Sequence, residues 1–487
     1  MGRIAARARS GGVVGGGLLA LGLAACVTNP ATGGLQLSLI GEGREIEMGR
    51  EGAAQVEASI GLYQDDALQD YVSEIGLRMA AVSERAHLPW RFRVVEDPVI
   101  NAFALPGGFI YVARGILANF NSEAELAAVL GHEIGHVTAR HSVEQISRAQ
   151  LAQIGFGLGS IFAPEIASAS DFVGLGLNLL FLKYGRDAER QSDELGLRYM
   201  GRVGYDKREM VSVFTMLERT SEARGGSSIP TWLSTHPDPG DRLERTARLI
   251  HESGGMTGGI VRREQYLRRI DGLVFGKNPR LGYFREELFL HPELEFQVRF
   301  PDGWKTRNLS QAVVGVSPRR DALIQLTIES ADTPDDAARD FFSQSGVDGG
   351  VTSRARINGL TAVSGEFRAR SQQGTLAGVV TFVRHGGNTY QLLGYTSSRR
   401  FRTFEGIFRS SFDSFEPLTD RSALAVRPKR VRLVTLDEPM TIERFAERYP
   451  STVSLETLAL INGVGAGETL QAGRTYKRVV GEGVPTP

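Results

Sequence analysis

The chain has 487 residues, with 56 basic and 56 acidic side chains and no formal net charge at neutral pH. That length exceeds what one core organises and predicts about two to four domains; the balanced charge lacks the basic excess of a nucleic-acid binder, so no nucleic-acid partner is expected. A single cysteine excludes an intramolecular disulfide framework.

Arg3, Arg7 and Arg9 precede an apolar stretch from Gly11 to Ala25, too short for a comfortable membrane span. It closes on Leu23-Ala24-Ala25-Cys26, which looks like a bacterial lipobox. Residues 1–25 then read as a lipoprotein signal peptide, Cys26 as the lipidated first residue, and 26–40 as a lipidated linker. The competing reading is an ordinary secretory signal with an incidental cysteine. Val27, rather than Asp, follows the cysteine, which favours the periplasmic side of the outer membrane over inner-membrane retention. Loss of the three arginines leaves 53 basic against 56 acidic side chains.

A helix is predicted within residues 27–60 and another near Asp65 to Glu84, with Leu68, Tyr71, Val72, Ile75 and Met79 on one face. Arg91 to Val95 alternates like a strand. Pro106-Gly107-Gly108 is a turn, and Phe109, Ile110, Tyr111 and Val112 form a strand. Ser122 and Glu125 then make a capping box before an apolar run. Leu126, Val129, Leu130, Ile134 and Val137 follow at spacings of three and four, the pattern of a partly buried helix.

This helix carries His132-Glu133-Ile134-Gly135-His136. Residues four apart share a helix face, so His132 and His136 can hold one metal ion, with Glu133 beside them as general base towards a metal-bound water. Two imidazoles around a glutamate are the zinc-hydrolase pattern, and only eight histidines occur in the chain. His141 is expected at the surface; His87, His251, His291 and His385 lack ligand-like companions. Residues 151–182 are apolar and glycine-rich, but Pro164, Glu165 and Asp171 cut them too short to span a membrane. Two buried or membrane-touching helices acting as a lid fit that stretch. Arg186 to Met200 reads as a helix with Glu189 and Asp193 one turn apart. One carboxylate can complete a zinc site while the other backs a ligating histidine. Helices around Ser234-Thr235-His236-Pro237-Asp238-Pro239 complete this region.

From about residue 285 the texture changes to alternating strands, including a hairpin signal at His385-Gly386-Gly387-Asn388. Phe401, Phe404, Phe408, Phe412 and Phe415 lie at helical spacing and read as core. The expectation is an α+β domain over 285–420, a basic linker over 421–431 and a small βααβ module over 432–480.

Four segments resemble the BepA-like and HtpX-like zinc metalloproteases of bacterial envelopes, the Ste24-type proteases. They are Asn101 to Val112 (N-A-F-x-x-P-G-G), Gly131 to His136 (H-E-x-G-H), Arg186 to Gly196 (R-x-x-E-x-x-x-D-x-x-G) and Ser234 to Pro237 (S-T-H-P), after a weaker match at Asn29 to Gly33. The resemblance covers roughly residues 27–250. It implies an α+β multidomain protein with a mainly helical, gluzincin-like zincin domain over 41–270 and a small edge sheet. It also implies one Zn²⁺ held by His132, His136 and Glu189, with Asp193 behind a ligand. Glu133 would be catalytic, and His236 would either stabilise the oxyanion or plug the fourth position of a latent site. The Phe109 to Val112 strand would pair with extended substrates, namely misfolded or unassembled envelope proteins. The module at 432–480 resembles LysM, which implies peptidoglycan as a partner; Asp437-Glu438-Pro439-Met440-Thr441 replaces the usual G-D-T-L opening. The alternative is a peptidoglycan-tethered, chaperone-like binding protein that keeps the metal helix as scaffold.

Overall fold

The computed structural model describes residues 26–155, 184–223, 231–236, 239–252, 258–371, 374–465 and 467–484. The expected signal peptide and residues 156–182 of the expected lid lie outside them. The chain divides into two units, Met1–Val56 with Tyr63–Val94 and Val99–Arg269, and Glu57–Leu62 with Val95–Pro98 and Ile270–Pro487. Among the described residues no helix is long and apolar enough to cross a membrane.

The first unit opens with a hairpin, β1 (Cys26–Thr28) against β2 (Leu35–Leu37). The segment expected as a lipidated linker over 26–40 holds this hairpin. Asn29 and Gln36 donate their side-chain amides to the carbonyl of Ala139 at 3.2 and 2.9 Å, and Leu39 N–H donates to Ser147 Oγ at 3.0 Å. Then come α1 (Glu42–Ser59) and α2 (Asp66–Ala80). The expected face of α2 is buried, and Asp65 caps its first turn.

Strands β3 (Arg91–Val95), β4 (Ala102–Leu105) and β5 (Phe109–Ala113) form one sheet in the order β3-β5-β4. The expected substrate strand, Phe109 to Val112, is therefore the central one. Its backbone already pairs on both sides, so an added peptide strand has no ladder there; among the described residues β4 is an edge strand of this sheet. Gly107 and Gly108 make that turn at φ of +75° and +103°. A Cβ on Gly107 would meet Ile46 Cα at 2.6 Å, so the turn requires glycine for space as well as conformation.

The rest of this unit is helical: α3 (Arg114–Leu117), α4 (Glu123–Thr138), α5 (His141–Gly155), α6 (Arg186–Val203), α7 (Arg208–Ala223), α8 (Thr231–Thr235), α9 (Pro239–Glu252) and α10 (Arg263–Ile270). Every residue of α4 is buried. Both its ends are fixed by buried charge. Glu123 accepts from Tyr71, Tyr205, Arg262 and Arg78 at 2.8, 2.6, 2.9 and 3.2 Å. At the other end Arg85 donates to the Val137 carbonyl at 2.9 Å and pairs with Glu45, which also takes Arg140. Helix α4 approaches α6 at glycines: a Cβ on Gly135 would lie 3.0 Å from Ser192 Cα, and one on Gly131 3.2 Å from Gly196 Cα. This near backbone contact brings the histidines of one helix against the carboxylates of the other.

In the second unit, β6 (Tyr283–Arg285), β7 (Leu288–His291), β8 (Phe296–Arg299) and β16 (Glu416–Pro417) form a four-stranded sheet in the order β16-β8-β7-β6. Strands β9 (Lys305–Asn308), β10 (Ala312–Val316), β11 (Ala322–Glu329), β12 (Val347–Ile357), β13 (Leu360–Ser371), β14 (Gly374–His385) and β15 (Asn388–Ser397) form a second in the order β12-β13-β14-β15-β11-β10-β9. The β14–β15 hairpin closes through Gly386 and Gly387, both at positive φ as a two-residue loop demands. Two helices, α11 (Pro334–Phe342) and α12 (Phe401–Asp413), complete this fold. Val379 and Val383 of β14 join the core with Phe404, Phe408 and Phe412 of α12, while Val380 and Phe382 pack with Phe341 of α11. Both faces of β14 are thus covered, which accounts for its continuous burial from Ala377 to Val383.

The stretch 421–431, expected as a linker, holds α13 (Arg421–Leu424), and Ala423 and Val426 are buried against Tyr283, Leu290 and Leu418. Next come β17 (Arg430–Thr435), β18 (Met440–Thr441), α14 (Ile442–Arg448), α15 (Leu455–Asn462), β19 (Thr469–Leu470) and β20 (Thr475–Val480). β17 pairs antiparallel with β20, giving the β-α-α-β order read from the sequence. Asn462 stitches α15 to β20, donating to the Leu458 and Lys477 carbonyls at 2.9 and 2.8 Å and accepting from Lys477 N–H at 2.7 Å.

Candidate metal centre

Helix α4 starts where its capping box predicts: Ser122 Oγ accepts from Glu125 N–H at 3.1 Å. Nine residues into the helix, His132 and His136 turn one face towards α6. Their Nε2 atoms lie 3.0 Å apart. Glu189 of α6 reaches the same point, with carboxylate oxygens 3.6 and 3.5 Å from those two nitrogens. His236, which directly follows α8, brings Nδ1 to 2.9 Å from Glu189 and 3.3 Å from His132 Nε2. One donor atom from each of the four residues lies within 4.8 Å of all the others, and each side chain is at most 2% exposed.

The donor set fits a zinc ion. Asp193 Oδ1 accepts from His132 Nδ1–H at 2.9 Å, which leaves His132 Nε2 a lone pair aimed into the cluster. Glu189 Oε2 is buried and makes no aligned hydrogen bond, its charge facing Arg242 Nη1 at 2.9 Å. Three nitrogens and a carboxylate converging at a buried point suit a borderline-soft divalent cation better than a hard one such as Ca²⁺, which takes oxygen ligands.

Glu133 is not among the four donors. It lies beside them, its carboxylate accepting from Trp232 Nε1–H at 3.4 Å and standing 3.7 Å from His236 Nε2. Asp193 is also outside the four donors and contacts His132 Nδ1.

Arg242 is a site residue that the sequence reading missed. It lies on α9 and forms a two-point fork on Asp193, with Nε to Oδ2 at 2.9 Å and Nη2 to Oδ1 at 2.6 Å. Its Nη1 stands 2.9 Å from Glu189. The guanidinium packs over Phe214 and Trp232 at 4.6 and 4.9 Å. Burial pushes the Asp193 carboxyl up, but Arg242 and His132 together outweigh it and hold the group at about 2. Glu189 is likewise held below its ordinary range against burial, by His236 and Arg242. His236 is pulled up by Glu189 despite burial. Trp232 stacks on His236 at 4.6 Å and Tyr184 on His136 at 4.0 Å, so aromatic faces fix both rings.

His141 is not at the surface as expected. It is 5% exposed, with Nδ1 3.0 Å from His136 Nδ1 and Nε2 2.6 Å from Gln191 Oε1. In an unbroken helix, residues five apart would point about 140° away from each other. The break comes at Arg140, whose φ of +58° ends α4 and turns the chain so that His141 folds back.

Residues 66–250 match the model of Peptidase family M48. A putative beta-barrel assembly-enhancing protease of Vibrio cholerae is 34% identical over 187 residues, which cover 37% of this chain and 38% of that protein. Mitochondrial metalloendopeptidase OMA1 of Arabidopsis thaliana is 34% identical over 172 residues, 35% of this chain and 33% of that protein. Beta-barrel assembly-enhancing protease of Escherichia coli K12 is 31% identical over 229 residues, 44% and 46% respectively. The chain thus spans less than half the length of each of these relatives. With the helix-borne H-E-x-x-H and its carboxylate partner, the match identifies residues 66–250 as a domain of peptidase family M48.

Proposed function

We propose that this protein is a zinc-dependent endopeptidase, anchored through Cys26 on the periplasmic side of the outer membrane, that cuts misfolded or unassembled envelope proteins. The observation that carries the reading is the buried four-donor cluster with Glu133 alongside it but outside the ligand set. The names of the bacterial relatives, beta-barrel assembly-enhancing proteases, support the choice of substrate class. When bound, zinc would supply Lewis acidity and a water of lowered pKa. His132, His136 and Glu189 would hold it. Glu133 takes a proton from the attacking water and returns it to the leaving amine. An extended peptide would add to the β4 edge through main-chain hydrogen bonds, giving loose sequence specificity. The βααβ module would lend a peptidoglycan tether.

Metal analysis of the purified chain tests the reading. About one zinc per wild-type chain is expected, with His132→Ala and Glu189→Ala each losing stoichiometric binding, because three protein ligands define such a site. Zinc retained by both variants would overturn it.

A second reading, of a latent enzyme, is favoured by one observation: His236 brings its Nδ1 into the donor cluster itself. In that state His236 fills the position a catalytic water needs. His236→Ala is then expected to raise hydrolysis of an unfolded substrate above wild type. A fall instead would support an oxyanion-binding role.

A further inference from the structure

We infer that His141, backed by Gln191, is a positioning residue that sets the tautomer of His136 and so prepares it as a metal ligand. The inference rests on the metal site proposed above. Gln191 sits on α6 between Glu189 and Asp193, and its carbonyl Oε1 lies 2.6 Å from His141 Nε2. A carbonyl only accepts, so the hydrogen there is on His141 Nε2. In neutral His141 the other nitrogen, Nδ1, then carries a lone pair. It faces His136 Nδ1 at 3.0 Å, so the hydrogen between them belongs to His136. Ser192 Oγ, 3.4 Å from His141 Nδ1, is a more distant neighbour of the same atom.

With its hydrogen fixed on Nδ1, His136 keeps a lone pair on Nε2, the atom nearest His132 Nε2 and Glu189. The reverse polarity would place a hydrogen on Nε2 and exclude metal. The two ligand histidines therefore receive unlike support from one helix. Asp193 backs His132 directly with a charge, whereas Gln191 backs His136 through a neutral imidazole. Arg140 makes the second arrangement possible, because its left-handed backbone turns His141 onto the ligand, and Glu45 holds Arg140 at 2.9 Å.

The test is zinc affinity of the full chain, measured by competition with a chromophoric chelator, with thermal unfolding of the metal-free protein alongside. Loss of such a supporting partner costs about 10- to 100-fold in affinity, and that loss is expected for His141→Leu. His141→Asn, whose Oδ1 can take the place of Nδ1 as acceptor, is expected to bind within a few-fold of wild type. Gln191→Leu should weaken binding in the same direction as His141→Leu, and it carries the test alone if that variant fails to fold. Wild-type affinity in both leucine variants would overturn the inference. Equal losses in His141→Asn and His141→Leu would do so too, because ring bulk rather than an acceptor would then matter. A wild-type chain that binds no zinc would instead refute the metal site itself.

Discussion

Glu133→Gln is expected to leave zinc at wild-type stoichiometry and to lower kcat on an unfolded polypeptide by about 10²- to 10⁴-fold, the usual worth of a general base. The amide has the shape of the carboxylate but cannot take a proton from water. Glu133 is outside the four-donor cluster, so the metal has no reason to leave. Its contacts are Trp232 Nε1–H at 3.4 Å and the His236 ring at 3.7 Å, which a glutamine can keep. KM is expected to change little, because Glu133 contributes to the transition state rather than to holding the peptide. Unchanged kcat at equal zinc occupancy would remove Glu133 from the chemistry.

Arg242→Met is expected to destabilise the first unit by about 3–5 kcal/mol, the cost of leaving a buried charge without its partner. Methionine keeps an apolar stem against Phe214 and Trp232 but leaves Asp193 buried without its fork. The pH dependence should change sign with the substitution. In the wild type, Asp193 titrates at about 2 instead of 3.8, so its contribution is complete above about pH 3.8 and is lost as pH falls towards 2. Without Arg242, only His132 still opposes burial and the carboxyl rises, so the variant should be worst at neutral pH and regain stability as acid protonates Asp193. Adding Asp193→Asn should recover part of the loss. Urea denaturation of the single and double variants across pH measures both effects; equal stability of wild type and Arg242→Met at pH 7 would refute the argument.

The parts of the site carried by one helix were legible in the sequence. Ser122 and Glu125 marked where α4 begins, the apolar spacing marked its burial, and the pairs His132–His136 and Glu189–Asp193 are each one helical turn apart. What escaped depends on chain reversals and distant pairings. His141 needed the left-handed Arg140, an uncommon conformation for an arginine. Arg242 opens an amphipathic helix, where a charge ordinarily faces water; only its spacing of four from the buried Thr246 and Ile250 signals otherwise. The Pro106-Gly107-Gly108 turn announced the pairing of β4 with β5, but nothing local announced that β3 takes the other side of β5. In 421–431 the basic side chains masked two small apolar residues, Ala423 and Val426, that tie the segment down.

The hairpin at Cys26–Leu37 bears on how far such an enzyme can roam. Only two residues separate Cys26 from Asn29, whose amide holds the carbonyl of Ala139 at the end of the metal helix. An acyl chain on Cys26 would then give the catalytic unit a short, stiff leash instead of a flexible one. On the anchoring proposed above, the metal site would stay in a thin layer next to the bilayer, and the polypeptides it could reach would be those within that layer.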